Sequence, residues 1–166
     1  VKFAQLHNTM WANKLGFQNW IEDDETLVRD LNALLQRVET DMTIFFRLLS
    51  SIETPSIELL EDAFYDPLTV PKDAWGEWLL RWWERTGQSP NRQTMLENNP
   101  KYVLRNWMAQ LAIDAAESGD FSVCEELFKL LKNPYQEQPE FEEKWFQKRP
   151  EWARHRVGCS MLSCSS

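Results

Sequence analysis

Cysteine, histidine and glycine are all scarce in this chain of 166 residues, with three, two and five copies. Each shortage removes a class of function. Cys124, Cys159 and Cys164 are too few to frame a small secreted disulfide domain. His7 and His155 stand at opposite ends with no carboxylate or thiol at ligand spacing, so neither a metal centre nor a catalytic triad is expected. The glycines are isolated helix stops and form no loop that would cradle a phosphate, so no cofactor-binding or catalytic residue is assigned in this chain. Apolar runs fall short of the roughly 20 residues that cross a bilayer, which predicts a soluble segment with no membrane partner. Basic side chains are outnumbered 18 to 26 by acidic ones and interleaved with them. The resulting charge of −8 repels phosphate backbones and excludes nucleic acid as a partner.

Aromatic residues, by contrast, are abundant. Nine Trp and nine Phe predict either a helical core filled by rings or a broad aromatic face for a partner. Apolar spacing is helical throughout and no period-two strand pattern stands out, so the fold class is all-α. Phe3, Leu6, Met10, Trp11 and Leu15 predict a first helix, stopped by Gly16. Asp23 or Asp24 caps a second through Leu27, Leu31, Leu34 and Val38, and Thr40 or Asp41 caps a third with Ile44, Phe45, Leu48, Leu49 and Ile52 inward. Ser56 reopens a short helix, and Pro71 starts one carrying Trp75, Trp78, Trp82 and Trp83. Residues 88–99 read as a loop with one turn near Met95. From Pro100 the pattern of Tyr102, Val103, Trp107, Leu111 and Ala115 predicts the strongest helix, closed by Gly119, with Asp120 capping the next through Leu127 and Leu131. Beyond Pro134 the chain turns highly charged. The expected organisation is therefore a helical region over 1–134, then an irregular arm and flexible cysteine-bearing tail over 135–166.

Few residues invite chemistry. The acidic group Glu22 to Glu25 suits a helix N-terminus better than a calcium loop, and the Trp stripe suits core or interface better than a stacking platform. Arg105, within an apolar pattern, needs a carboxylate or a set of carbonyls, which means a structural ion pair or a contact to another domain. The terminal Cys159 and Cys164 sit among small polar residues; residue type alone leaves them either incidental or able to reach a partner thiol. Because the chain opens at Val1 inside a helical pattern, a longer protein that has lost its front is expected.

Residues 99–106, Asn-Pro-Lys-Tyr-Val-Leu-Arg-Asn, followed by Ala109-Gln110 and the run from Ala112 to Phe121, resemble the C-terminal block of selenoprotein O-type (SelO/YdiU) proteins. The likeness continues through Leu130 to Tyr135, Glu137-Gln138-Pro139 and Trp152-Ala153 to the terminal Cys164-Ser165-Ser166, and earlier through Met10 to Gly16 and Phe45 to Ser50. The resemblance implies a pseudokinase-type, kinase-like catalytic domain that uses ATP with Mg2+ or Mn2+ to transfer AMP to Ser, Thr or Tyr hydroxyls of protein substrates. It implies that those binding residues precede this chain, that this segment is inactive alone, and that it packs on its own kinase-like domain. Cys164 occupies the family's redox position, pairing either with a thiol of the kinase-like part or with Cys159. Arg105 and Asn106 are implied to be structural, holding the two parts together. The ending resembles plant or algal members, which implies a mitochondrion or plastid in a eukaryote and the cytoplasm in a bacterium. A rival reading, free of the resemblance, is an independent helical adaptor that binds a protein through its Trp-rich face.

Overall fold

The computed structural model describes residues 2–159. Among them the regular structure is helical, and strand character is confined to isolated bridges such as the antiparallel one between Thr40 and Phe64. The chain forms two compact units that divide after Asn99, not at 134/135 where its composition changes.

The first unit contains α1 (Lys2–Leu15), α2 (Asp24–Arg37), α3 (Met42–Leu49), two 3₁₀ turns (Ile57–Ala63 and Pro67–Thr69), α4 (Lys72–Arg85) and α5 (Arg92–Asn98). Its centre is α4. Trp75, Trp78 and Trp82 recur at three- and four-residue spacing and so share one face, which is fully buried. Trp75 packs on Phe45 of α3 and on Phe64, with ring centroids 5.3 and 5.4 Å apart. Trp78 and Trp82 stack nearly parallel, and each indole N–H donates to a main-chain carbonyl: Trp78 to Leu27 in α2 and Trp82 to Leu15 at the end of α1, both at 2.9 Å. The second bond satisfies a carbonyl that a helix C-terminus leaves without a partner inside the helix. The aromatic stripe is thus core, and it ties α4 to its neighbours by direction as well as by area.

Charge fixes the other end of α4. Arg85 grips the buried Asp24 with two bonds, Nε to Oδ1 at 2.6 Å and Nη2 to Oδ2 at 2.9 Å, while its guanidinium lies over Phe17. Asp24 also accepts from the Ile21 amide, so the acidic run at 22–25 serves the start of α2, as its helix-terminal reading anticipates. Asp41 caps α3 by accepting from the Ile44 amide at 3.1 Å.

Two expectations are corrected, and the side of α1 that faces the core is settled. Residues 92–98 form a helix rather than a loop with one turn, because Asn91 caps it by accepting from the Thr94 amide. The helix expected from Pro100 begins only at Asn106. Main-chain N–H groups of Lys101 and Tyr102 both donate to the Pro134 carbonyl, at 2.8 and 3.0 Å, and hold 100–105 out of helical geometry. Within α1, Phe3, Leu6 and Met10 do not join Trp11, Ala12 and Leu15 in the core; they lie exposed on the opposite side.

The second unit holds α6 (Asn106–Glu117), α7 (Ser122–Leu131), α8 (Pro139–Trp145) and α9 (Glu151–Arg154). α6 and α7 form the expected hairpin, with Gly119 at φ +86° and Asp120 accepting from the Ser122 amide. Between Pro134 and Cys159 the arm packs into the core of the second unit: Phe141, Trp145 and Ala153 are buried with Tyr102, Trp107, Met108, Leu127 and Leu130, and the Trp107 and Trp145 rings stack at 5.8 Å. Gln138 enters the left-handed region at φ +43°, and its side-chain amide donates to the Leu130 and Asn133 carbonyls, capping α7 in exchange for that strain.

Gly16 ends α1 at φ +72°, where a Cβ would sit 2.7 Å from Met95 Sδ and 3.0 Å from the Asn91 nitrogen. Gly16→Ala is therefore expected to destabilise the first unit by roughly 1–2 kcal/mol, read as a lower denaturant midpoint with an unchanged slope. An unchanged midpoint would show that α1 and α5 do not meet as described.

Candidate functional site

Apart from the buried Asp24, Asp41 and Ser50, which serve their own helices, the buried polar side chains stand at two places, one in each unit. In the first, Asn99 is 1% exposed and uses all of its polar groups. Its side-chain amide donates to the Lys14 carbonyl at 2.9 Å and accepts from Lys14 Nζ at 2.7 Å. Its main-chain N–H donates to Met95, and its carbonyl accepts from Arg47 Nη1 at 3.0 Å. Arg47, itself buried on α3, also donates to the Leu96 carbonyl at 3.2 Å. Its positive charge thereby faces the C-terminal carbonyls of α5, where the helix dipole favours a cation. Lys14 lies 4.1 Å over the Phe46 ring, and burial pushes its ammonium pKa below the ordinary value. Asn13 adds a bond to Asn98 at 3.3 Å. One asparagine thus joins α1, α3 and α5.

The second cluster begins two residues later. Lys101, 4% exposed, donates to Glu137 at 2.7 Å and Glu142 at 2.9 Å and approaches the Phe146 ring at 5.0 Å. The Tyr102 hydroxyl donates to the Glu137 carbonyl at 2.8 Å. Arg105 stands at the cap of α6, not inside a helix, and donates to the Gln147 carbonyl at 2.8 Å. That bond supplies one of the carbonyls that such a side chain can use. Asn106 is the exposed first residue of α6.

Cys159 is buried in the core of the second unit, and Cys124 is half-buried with its Sγ 3.8 Å from the Ala112 carbonyl. The turn that delivers Cys159 is pinned by Arg156, which pairs with Asp114 at 2.8 Å. Hydrogen bonds from the Gln110 amide and from Arg156 hold the Asp114 carboxyl below its usual pKa. Burial raises that of Glu126, but bonds from Lys144 and the Trp145 indole outweigh it and leave the carboxyl lower than usual. Cys164 lies outside the described residues. His7 accepts from the Trp11 indole at 3.2 Å, and His155 is exposed after α9. Among the described residues no three of His, Cys, Asp and Glu come together. A polar cleft of about 490 Å³ lies beside Trp83, Gln88, Asn91 and Arg92, with no nucleophile and base paired in it. No helix among the described residues is long and apolar enough to cross a membrane.

A family model described as "Protein adenylyltransferase SelO" matches residues 1–132. The chain belongs to the SelO family. Curated relatives named "Protein nucleotidyltransferase YdiU" are 49% identical in Flavobacterium johnsoniae, 47% in Aromatoleum aromaticum and 46% in Tolumonas auensis. Each alignment covers 99% of this chain but only 34%, 33% and 33% of the relative. The chain spans about one third of the relatives' length, and it corresponds to their C-terminal part. These organisms are bacteria.

SelO membership gives the two clusters a meaning that composition did not. Three segments that carry the family resemblance, Met10 to Gly16, Phe45 to Ser50 and the Asn99-Pro100 pair, meet physically at Asn99 through Lys14 and Arg47. Residues 130–139 meet 101–102 in the second cluster. Sequence reasoning singles out the motifs but not Lys14, Arg47, Asn99 or Lys101 as their working atoms. An Asn directly before Pro, flanked by apolar helices, is the available signal.

Asn99→Ala is expected to cost about 2–3 kcal/mol, since it leaves the Lys14 ammonium and a helix-end carbonyl without their partner. Equilibrium unfolding measures it; a loss under about 0.5 kcal/mol would refute the cluster's structural importance. Under native conditions Cys159 should resist a thiol reagent, with labelling at least about tenfold slower than in denaturant. Rapid native labelling, located by peptide mass spectrometry, would contradict its burial.

Proposed function

We propose that this chain is the helical C-terminal part of a protein adenylyltransferase that transfers AMP from ATP to Ser, Thr or Tyr hydroxyls of proteins. The match over residues 1–132 to a family described by that activity carries the reading. In this proposal a kinase-like region preceding the chain holds ATP and Mg2+ or Mn2+. The helical segment contributes a scaffold stiffened at Asn99 and Lys101, and alone it is inactive. Cys164 is the proposed redox residue, with a thiol of the kinase-like region as its partner. The burial of Cys159 supports that assignment over a pair between Cys159 and Cys164, because a thiol buried in the core of the second unit is shielded from exchange. Arg105 acts within its own unit through Gln147, while Asn106, exposed at the start of α6, remains the better placed of the two for an interdomain contact. Bacterial relatives favour a cytoplasmic setting over a mitochondrion or plastid.

The adaptor reading keeps little of its surface. Of Trp75, Trp78, Trp82 and Trp83, which would have formed the aromatic face, the first three are buried inside the first unit, and Trp83 alone is partly accessible, beside the polar cleft.

AMP transfer from ATP labelled at the α-phosphate, with Mg2+ or Mn2+, distinguishes the readings. The chain extended upstream to the relatives' length should label itself or added proteins, and the 166-residue chain should not. Transfer by the short chain would displace the active site into it; transfer by neither would return the adaptor. In the active form, Cys164→Ser should abolish any difference between oxidising and reducing conditions.

A further inference from the structure

α1 is apolar on both sides, and its pattern therefore does not single out the face that meets the core. At about 100° per residue, Trp11, Ala12 and Leu15 point one way and are buried in the first unit. Phe3, Leu6 and Met10 lie roughly opposite, at 82%, 61% and 44% exposure. Lys2, Gln5, Thr9 and Asn13 separate the two stripes, so the outer one is an apolar face distinct from the core, and contiguous exposed apolar surface of this kind marks an interaction site. The exposure rises steadily toward the N-terminal end of α1. Beside the stripe opens a mostly apolar cleft of about 300 Å³, lined by Phe3, Ala4, His7, Trp20 and Val28, of a size to accept one or two side chains.

We propose that the outer stripe of α1 is the docking face for the upstream two thirds of the full-length protein. This rests on the reading of the chain as the C-terminal third of a longer enzyme. The relatives carry that additional length ahead of the matched region, and α1 is the first element of the match. An upstream segment therefore joins α1 at its Lys2 end, where the uncovered apolar surface is greatest. Its contact with the stripe is intramolecular and needs no high concentration to form. The expected contact surface is apolar, presenting one or two large side chains to the cleft next to Phe3.

Met10 reports on the stripe without mutation. Hydrogen peroxide converts an accessible thioether to the sulfoxide, and the tryptic peptide 3–14 isolates Met10 from the other methionines. Met95 and Met108, both fully buried, certify that the fold is intact during the reaction. Met10 should oxidise at least about fivefold more slowly in the upstream-extended protein than in the 166-residue chain, while Met95 and Met108 stay reduced in both. Equal rates at Met10 overturn the proposal. So does protection of Met10 in the short chain as its concentration is raised, which would make the stripe a self-association face. A Leu6→Gln, Met10→Gln variant gives a second reading: the extended protein should lose at least about 3 °C of melting temperature and the short chain none, and an equal loss in both overturns it. AMP transfer measured on the same extended sample separates the two ideas. Protection of Met10 without transfer sinks the enzymatic reading and leaves the docking face standing; transfer without protection does the reverse.

Discussion

Much of the first unit hangs on an asparagine side chain that has no freedom left. Asn99 closes α1, α3 and α5 on one another because its amide is the right length to answer both the ammonium and the carbonyl of Lys14. Buried polar groups are costly when unpaired, so an arrangement of this kind is effectively all or none. Apolar packing around α4 supplies the larger share of the free energy. It does not by itself decide where α1 and α5 end relative to each other; the Asn99 cluster and the Gly16–Asn91 hydrogen bond do.

What is legible in the sequence follows from the range of the forces involved. α2, α3 and α4 can be read because caps such as Asp41 and stripes such as Trp75, Trp78 and Trp82 act within a turn or two of themselves. α5 escapes notice because a seven-residue helix has almost no periodicity and depends on the Asn91 cap. Residues 100–105 mislead because their partner, the Pro134 carbonyl, lies far along the chain, and a helical pattern cannot announce a distant hydrogen bond. The polar residues at the two clusters look like ordinary surface for the same reason. α1 shows the limit of pattern reading most plainly, since two apolar faces merge into one apparent stripe.

The segments by which the chain resembles its family thus divide their labour. Those at Met10 to Gly16, Phe45 to Ser50 and 99–106 are spent on holding helices together, and a structural role for Arg105 fits the same description. The buried Cys159, fastened by Arg156 and Asp114, belongs with them.

The bonds between Asn13 and Asn98 and between Lys14 and Asn99 each span 85 residues of chain. A ribosome makes the two ends of that loop at very different times. α1 emerges with both apolar faces bare and has to wait for the last residue of its unit before the polar lock can close, and long loop closures of this sort slow folding. During that interval the first helix exposes apolar surface that can bind other chains. A face that the upstream region already covers would shelter it, so the order of synthesis from N- to C-terminus would turn the docking partner into a folding aid for the unit it later holds.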